Sequence, residues 1–303
     1  MTTTLIQMAL LMLLGTVWRF IKPGGLNAEQ TRNVLTTVIY YLFLPALVIE
    51  VLWTADIGLQ SLAFTGLGAT AVLCGILLAW MFCRLFNFTP AKTGAVILAS
   101  AFPNVTYLGL PVLEQTFGEW ARSVVIQLDY FSASPLLFTL GVVIARHYGQ
   151  ESHKPRFILS FLNTPPFWAA FIAVLLNQNH IPEPDWLLGV LQKMSAAVVP
   201  IMLFSLGLAL NWSSMRIQNI PFVLPVILVR MLFIPLLLFA IADSFPIPSR
   251  EKAAAILDLS MPSMVLGIVF CDRYKLDSGL YAMSVTVTTV LSLAMLPFYY
   301  QQL

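Results

Sequence analysis

The sequence predicts an all-α integral membrane protein with ten transmembrane helices. Hydrophobic residues make up 59% of the 303 residues, and the mean hydropathy is +0.85. Asp, Glu, Lys and Arg make up 10%, whereas a soluble domain carries about 25%. Because so little charge cannot cover a water-facing surface, the composition excludes a soluble enzyme, a disordered protein and a protein that binds nucleic acid through a basic face. At about 20 apolar residues per helix, the length accommodates roughly ten spans.

Long apolar windows separated by short polar or Pro/Gly-rich gaps locate the spans in order. The first five lie near residues 4–20, 33–53, 62–85, 91–117 and 121–145. The second five lie near residues 157–178, 186–211, 218–242, 252–271 and 278–299. The most polar stretch, residues 147–156, separates the two sets. We therefore expect two five-helix units, residues 1–147 and 157–303.

Basic residues predict the orientation, because Lys and Arg are enriched in cytoplasmic connections. With alternating spans, the connections after spans 1, 3, 5, 7 and 9 and their flanks hold eleven Lys and Arg, and the opposite side holds four. The eleven are Arg19, Lys22, Arg32, Arg84, Lys92, Arg146, Lys154, Arg156, Arg216, Arg273 and Lys275. The sequence therefore predicts a multi-pass protein of the inner (plasma) membrane with both termini outside.

If each half is one five-helix repeat, the odd number of spans places the two repeats in opposite orientations, the construction typical of secondary transporters. Ala95-Val-Ile-Leu98 leads to Pro103, and Ala254-Ala-Ile-Leu257 leads to Pro262, at an offset of 159 residues. These two segments fall in the fourth and ninth spans, each of which has a proline inside it. The alternative explanation is a chance alignment.

The fourth and ninth spans are predicted to be broken helices that cross. Pro103 and Pro262 each remove a backbone donor, and broken helices in a membrane occur only where protein or a water-filled cavity receives the freed groups. Two such helices would direct the partial positive charge of their half-helix N-termini at one small volume, which suits a carboxylate. Asn104, Pro103, Thr106, Pro262 and Ser263 are the candidate substrate-binding residues. The alternative is two proline kinks, with Asn104 as a hydrogen bond between helices.

Three charged residues lie deep inside predicted spans, where each costs about 2.5–3.5 kcal/mol. They are Asp129, Arg230 and Asp258, whereas Glu50 lies near a span end, where it reaches the interface. One aspartate is expected to pair with Arg230 for charge balance, leaving the other to bind a proton or a cation. A sodium site near Asp258, Ser260 and Thr288 is one form of this coupling, and a static ion-pair network is the alternative. The sequence has no clustered Cys/His set, so no structural or catalytic metal and no cofactor is expected.

Several motifs in order resemble the auxin efflux carrier family, which includes the plant PIN proteins. The run from Phe102 to Leu113 resembles the family's Leu-Pro-Asn-Thr…Gly-x-Pro crossover. The resemblance continues in Asn163-Thr-Pro-Pro166, in Val199-Pro-Ile-Met-Leu-Phe-Ser-Leu-Gly-Leu208, and in Ser260-Met-Pro-Ser263 with the residues that follow it. It covers nearly the whole chain, and the long cytoplasmic loop of many plant members is absent, as in short bacterial members.

The resemblance implies a fold shared with bile acid/sodium symporters. Helices 1, 2, 6 and 7 would form a scaffold, expected to be a homodimer, and helices 3–5 and 8–10 would form a transport unit that moves like an elevator. Asn104 matches the asparagine that the family uses at the first crossover to bind carboxylate. At the second crossover the plant carriers offer an amide, where this chain has Ser263. The implied substrates are small organic anions such as malonate or malate, with a proton or sodium ion as the coupling ion.

Two other classes of function compete with a transporter. An intramembrane aspartyl protease needs two carboxylates that share a proton, and the motifs of that family are absent around Asp129 and Asp258. A non-transporting receptor or structural membrane protein is the second alternative. The sequence therefore predicts a non-enzymatic carrier whose partners are an organic anion and the lipid bilayer, without nucleic acid.

Overall fold

The computed structural model describes residues 2–149, 164–210 and 215–303, with side chains from residue 6 onward, and within these ranges the fold is helical. The helices are α1 (Thr2–Ile21), α2 (Ala28–Trp53), α3 (Leu59–Leu85), α4 (Pro90–Ala101), α5 (Leu110–Phe117), α6 (Ala121–Tyr148), α7 (Pro165–Gln178), α8 (Asp185–Ala209), α9 (Ile217–Ser244), α10 (Ser249–Leu259), α11 (Gly267–Arg273) and α12 (Ser278–Tyr300). The prediction of an all-α membrane protein is confirmed. Residues 150–163, which hold most of the predicted polar connection, the start of the sixth span and Asn163, lie outside the described residues.

Six of the described helices are long and apolar enough to cross a membrane, namely α2, α3, α6, α8, α9 and α12. Large apolar side chains are exposed along the bundle, for example Leu14 on α1 and Leu77 on α3. Such side chains have no favourable place in water but suit a hydrocarbon solvent. The exposed surface therefore agrees with the composition in defining a membrane protein.

Prolines shape four of the helices in the same way. A π-helical turn ends two residues before the proline in each case, at Ile39–Phe43, Val105–Gly109, Asp129–Ala133 and Val229–Phe233. The prolines are Pro45, Pro111, Pro135 and Pro235. Proline lacks an N–H and clashes with the carbonyl four residues earlier, and the wider π turn accommodates that clash.

The helices pack as two groups. In the first group, α1 packs on α8, α7 packs on α2, and α8 packs along α2. In the second group, α4 lies against α3, α6, α9 and α12, and α10 lies against α6 and α9. The interrupted helices α4–α5 and α10–α11 belong to the second group, whereas part of α8 contacts the π turn before α5.

The two ends of the bundle are defined by side chains that join different connections. At one end, Arg19 donates to the carbonyls of Leu208 (3.0 Å) and Leu210 (2.6 Å), which joins the start of the α1–α2 connection to that of α8–α9. At the other end, Asn177 donates to the carbonyl of Trp53 (2.7 Å), and the Arg122 guanidinium lies 3.7 Å from Glu50. We call these the Arg19 end and the Arg122 end.

Candidate functional site

The two interrupted helices meet in the middle of the bundle. The chain is extended from Phe102 to Asn104 between α4 and the π turn before α5, and around Ser263 between α10 and α11. The amide of Asn104 donates to the carbonyl of Pro262 (2.8 Å), and the amide of Met264 donates to the carbonyl of Phe102 (3.0 Å). These bonds form an isolated antiparallel bridge between Pro103 and Ser263. Each crossing segment therefore provides hydrogen-bond partners for backbone groups of the other that the helix interruption leaves unpaired.

Arg230 joins the ends of the two incoming helices, α4 and α10. Its side chain is fully buried, and its guanidinium donates to the carbonyl of Ala101 (3.3 Å) and to the carbonyl of Leu259. Ala101 ends α4 and Leu259 ends α10, so the cation lies at the partial negative charge of both C-termini.

The expected ion pair between Arg230 and Asp129 or Asp258 does not form. The salt bridges among the described residues involve Arg122 and Lys252 instead. The physical reason is that two half-helices end where the guanidinium lies, and their last carbonyls have no intrahelical donors. Those carbonyls take the place of the carboxylate that the sequence led us to expect.

A cavity of about 80 Å³ lies beside the crossing, between the two helix groups. One wall comes from α2 and the start of α7, with Tyr40, Leu44 and Pro166. The other wall comes from the second group and is formed by Asn104, Thr106, Tyr107, Asp129, Tyr130, Ser134, Phe138, Met264 and Leu266. Of the ten predicted site residues, Asn104, Thr106 and Asp129 line this cavity.

Asn104 offers an unused donor at the cavity. The residue is 1% exposed, and its Nδ2 atom has no hydrogen-bond partner among the described residues. Its backbone carbonyl accepts from the amides of Leu108 (3.3 Å) and Gly109 (3.1 Å), which starts the turn that leads into α5. The first amides of a helix lack partners within that helix, so the turn adds partial positive charge to the same place.

Hydroxyl donors surround the Asp129 carboxylate. Ser134 Oγ donates to its Oδ1 (2.6 Å), and Thr106 Oγ1 donates to its Oδ2. Thr106 therefore ties the crossing segment to α6. The sequence analysis did not identify Ser134. The available signal was Pro135, because a proline that induces a π turn brings residues five apart, here 129 and 134, onto one side of the helix.

Asp258 does not line the cavity but contacts the turn before α5. It is fully buried, and neither carboxylate oxygen has a hydrogen-bond partner among the described residues. Its Oδ1 lies against the backbone of Gly109, where a Cβ atom would overlap it. The two aspartates thus contact different residues of the turn 105–109, Asp129 at Thr106 and Asp258 at Gly109, and no hydrogen bond joins them.

The remaining candidates support the crossing rather than the cavity wall. Ser263 is fully buried, its amide donates to Thr288 Oγ1 (3.2 Å), and its Oγ has no partner among the described residues. Thr288 and Ser260 donate their hydroxyls to carbonyls of their own helices, at 2.8 and 2.7 Å. No contact of the described residues joins these hydroxyls to Asp258, so the sodium site near them stays a prediction.

A separate polar region lies at the Arg122 end. Arg122 pairs with Glu114 (2.5 Å) on α5, with Glu50 (3.7 Å) on α2 and with Glu119 (3.9 Å). Glu50, expected to reach the interface, instead has a side chain only 14% exposed and faces this arginine. Partial burial, and then the negative charge of Glu50, raise the pKa of Glu183 in the α7–α8 connection. The Arg122–Glu50 pair joins the two helix groups.

A bundle with two interrupted helices and a buried polar cavity between two helix groups defines a multi-spanning membrane transporter. Residues 1–300 match the Membrane transport protein family, and the chain belongs to this family, the auxin efflux carriers. The resemblance seen in the motifs is therefore confirmed, and the protein is a transporter and not an enzyme.

Two curated relatives are similar along nearly their whole length. An uncharacterized transporter of Methanothermobacter thermautotrophicus is 28% identical over 303 residues, which cover 98% of this chain and 97% of the relative. An uncharacterized transporter of Methanocaldococcus jannaschii is 27% identical over 295 residues, which cover 94% of each chain. Both relatives are named as transporters, in agreement with the family.

Proposed function

We propose that the protein is a secondary transporter that moves small organic anions, mono- or dicarboxylates such as malonate or malate, by alternating access. The observation that carries the proposal is the unpartnered Nδ2 of Asn104, buried at a cavity that also receives the first turn before α5. A buried amide without a partner costs about 1–3 kcal/mol, and a carboxylate oxygen would satisfy it. Pro103 and Pro262 create this binding site by interrupting the two helices. Ser263 fixes the second crossing segment through the hydrogen bond from its amide to Thr288.

The two helix groups support an elevator mechanism. The helices α1, α2, α7 and α8 correspond to the scaffold, and α3–α6 with α9–α12 correspond to the transport unit. In this proposal the ten spans form two inverted five-helix repeats. The interrupted helices support this arrangement, since α4 enters from the Arg19 end and α10 from the Arg122 end. The cavity between the groups would change its access when the transport unit moves.

Asp129 is the proposed coupling residue. A carboxylate substrate that binds beside an ionised Asp129 would be repelled, whereas a protonated Asp129 removes this repulsion. We therefore infer proton-coupled transport, with sodium as the alternative that the gradients below distinguish. Asp258 would affect coupling through its contact with the turn 105–109. Arg230 would balance charge from the ends of α4 and α10.

A flux measurement in proteoliposomes tests the function and the site together. Labelled malonate and malate are offered with and without imposed proton and sodium gradients. Asn104→Ala should lower the initial flux about tenfold or more, because it removes a hydrogen bond to a charged group worth about 1.5–3 kcal/mol. Asn179→Ala is the matched control, because that amide is exposed and bonds its own helix at 2.7 Å.

Two results would count against the proposal. Undiminished flux in Asn104→Ala would defeat the proposed site. A complete absence of carboxylate flux under every gradient would favour a receptor or structural protein instead.

The placement in the membrane is also a proposal. We propose the inner (plasma) membrane, with the Arg19 end on the cytoplasmic side and both termini outside, supported by the excess of Lys and Arg in the connections of that end. Labelling of single cysteines in sealed vesicles tests the orientation. A homodimer through the first helix group stays a prediction, which cross-linking in native membranes tests.

A further inference from the structure

Two small cavities at the Arg19 end lie between α2, α8, α11 and α12. Their volumes are about 180 and 190 Å³, and the side chain of Arg32 on α2 lines both. The 180 Å³ cavity is also lined by Tyr107 and Leu266. The same two residues line the 80 Å³ cavity beside the crossing, which we call the crossover cavity. Arg32 is therefore separated from the cavity of Asn104 by a partition that Tyr107 and Leu266 form.

Arg32 forms no ion pair within the described part of the chain, whereas Arg122 pairs with three carboxylates. Arg19, its neighbour in the 190 Å³ cavity, is occupied by the carbonyls at the end of α8. Glu29 and Asp272 also line that cavity, so it holds two negative charges besides the two arginines.

A second feature of the 180 Å³ cavity also points to a ligand. Ser205 on α8 lines this cavity, is 2% exposed, and its hydroxyl has no hydrogen-bond partner among the described residues. Asn33 adds an amide from α2. The rest of the lining is largely apolar, with Leu206, Ala209, Val265, Ile268 and Val269. One guanidinium, one free hydroxyl and an apolar wall match a ligand with one carboxylate and a short hydrocarbon remainder.

We propose that Arg32 and Ser205 form a second anion site, which binds one carboxylate group on its way between the Arg19 end and the crossover cavity. The proposal rests on the proposed transport of organic anions. The guanidinium binds the carboxylate, the Ser205 hydroxyl donates to it, and the apolar wall accepts the hydrocarbon part. Glu29 and Asp272 disfavour a second negative charge, so the site prefers monocarboxylates to dicarboxylates.

Thiol labelling tests the site without a known substrate. In a variant that lacks Cys74, Cys83 and Cys271, Ser205→Cys is treated with an anionic and a cationic methanethiosulfonate reagent of similar size. The ratio of the two rates measures the local preference for an anion. Arg32→Gln should lower this ratio about tenfold, because a cation that lines the same cavity is removed. Arg32→Lys should retain most of it, since the charge remains.

Three controls make the labelling specific. Arg216→Gln removes a positive charge from an exposed position at the same end and should leave the ratio unchanged. Ser195→Cys, a buried position on the same helix outside these cavities, should react slowly with both reagents. Butyrate should slow the anionic labelling of Ser205→Cys more than malonate does at equal concentration.

The outcomes separate this site from the proposed function. An unchanged ratio in Arg32→Gln, or a failure of butyrate to protect, would overturn the second site even if proteoliposomes carry carboxylates. Where carboxylate flux is present, Arg32→Gln should raise the KM for a monocarboxylate that enters at the Arg19 end about tenfold. The maximal rate of transport should stay constant. If the labelling ratio depends on Arg32 but no carboxylate flux is found, the second anion site stands and only the transport proposal is overturned.

Discussion

The amide of Asn104 donates a hydrogen bond of 2.8 Å to the carbonyl of Pro262, two residues separated by 158 positions in the chain. Each residue belongs to a helix interruption that a proline produces. Each interruption supplies a backbone hydrogen-bond partner to a group that has none within its own helix. The bond fixes the side chain of Asn104 at the edge of the cavity. Neither interruption could be buried in a membrane by itself without leaving polar backbone unsatisfied.

Gly109 is expected to be intolerant of any side chain because of Asp258. A Cβ atom at residue 109 would overlap the Asp258 carboxylate, and overpacking of a buried site costs about 1–3 kcal/mol. Gly109→Ala should therefore lower the thermal stability in detergent. The double variant Gly109→Ala/Asp258→Ala should recover part of the loss, since the obstructing carboxylate is gone. Equal losses in the wild-type and Asp258→Ala backgrounds would contradict this contact.

Arg230 is expected to hold the crossing together. Arg230→Met removes the donors to Ala101 and Leu259, and hydrogen bonds to a charged group are worth about 1.5–3 kcal/mol each. The melting temperature should fall sharply, and Arg230→Lys should restore only part of it, because an ammonium lacks the planar fork. Arg216→Met is the exposed control. A melting temperature of Arg230→Met equal to that of the control would refute the role.

Tyr299 is expected to compensate for Pro235. Pro235 leaves the carbonyl of Met231, four residues earlier, without its helical donor, and the Tyr299 hydroxyl donates to that carbonyl. Tyr299→Phe should cost about 1–3 kcal/mol of unfolding free energy, because the buried carbonyl then lacks a partner. In a Pro235→Ala background, where the amide is restored, the same change should cost less. Additive effects in this double-mutant cycle would rule out the compensation.

Glu183 should give the protein a pH dependence at the Arg122 end. Its pKa is raised above 4.5 in the folded protein by partial burial and by the charge of Glu50, so the folded state holds the proton more tightly than the unfolded state. The contribution to stability is fully present below pH 4.5 and is lost as the pH rises through the folded pKa.

The measurement is the melting temperature of wild type minus that of Glu183→Gln between pH 4 and 7. This difference should decrease with rising pH, and Glu50→Gln should make the decrease smaller, since it removes one cause of the shift. A difference that does not change with pH would show that Glu183 is unperturbed.

The fold class and the helix interruptions could be predicted from the sequence because their causes are local. Low charge and long apolar windows determine that the chain must lie in lipid, and each proline acts on the carbonyl four residues before it. The same reasoning identified Asn104, since an amide beside a proline break in a membrane needs a partner. It also located the three deeply placed charged residues, Asp129, Arg230 and Asp258, since charge inside an apolar window is visible without a structure.

Only the tertiary structure decided which partners these residues have. Arg230 was expected to meet a carboxylate, but it meets the last carbonyls of α4 and α10, because packing brings two helix C-termini together where no sequence pattern records it. Asp129 lines the cavity, whereas Asp258 is packed against the backbone of Gly109, and the sequence does not distinguish these two positions. The sequence determined that polar groups must be satisfied inside a membrane, and the packing of segments far apart in the chain decided which groups satisfy them.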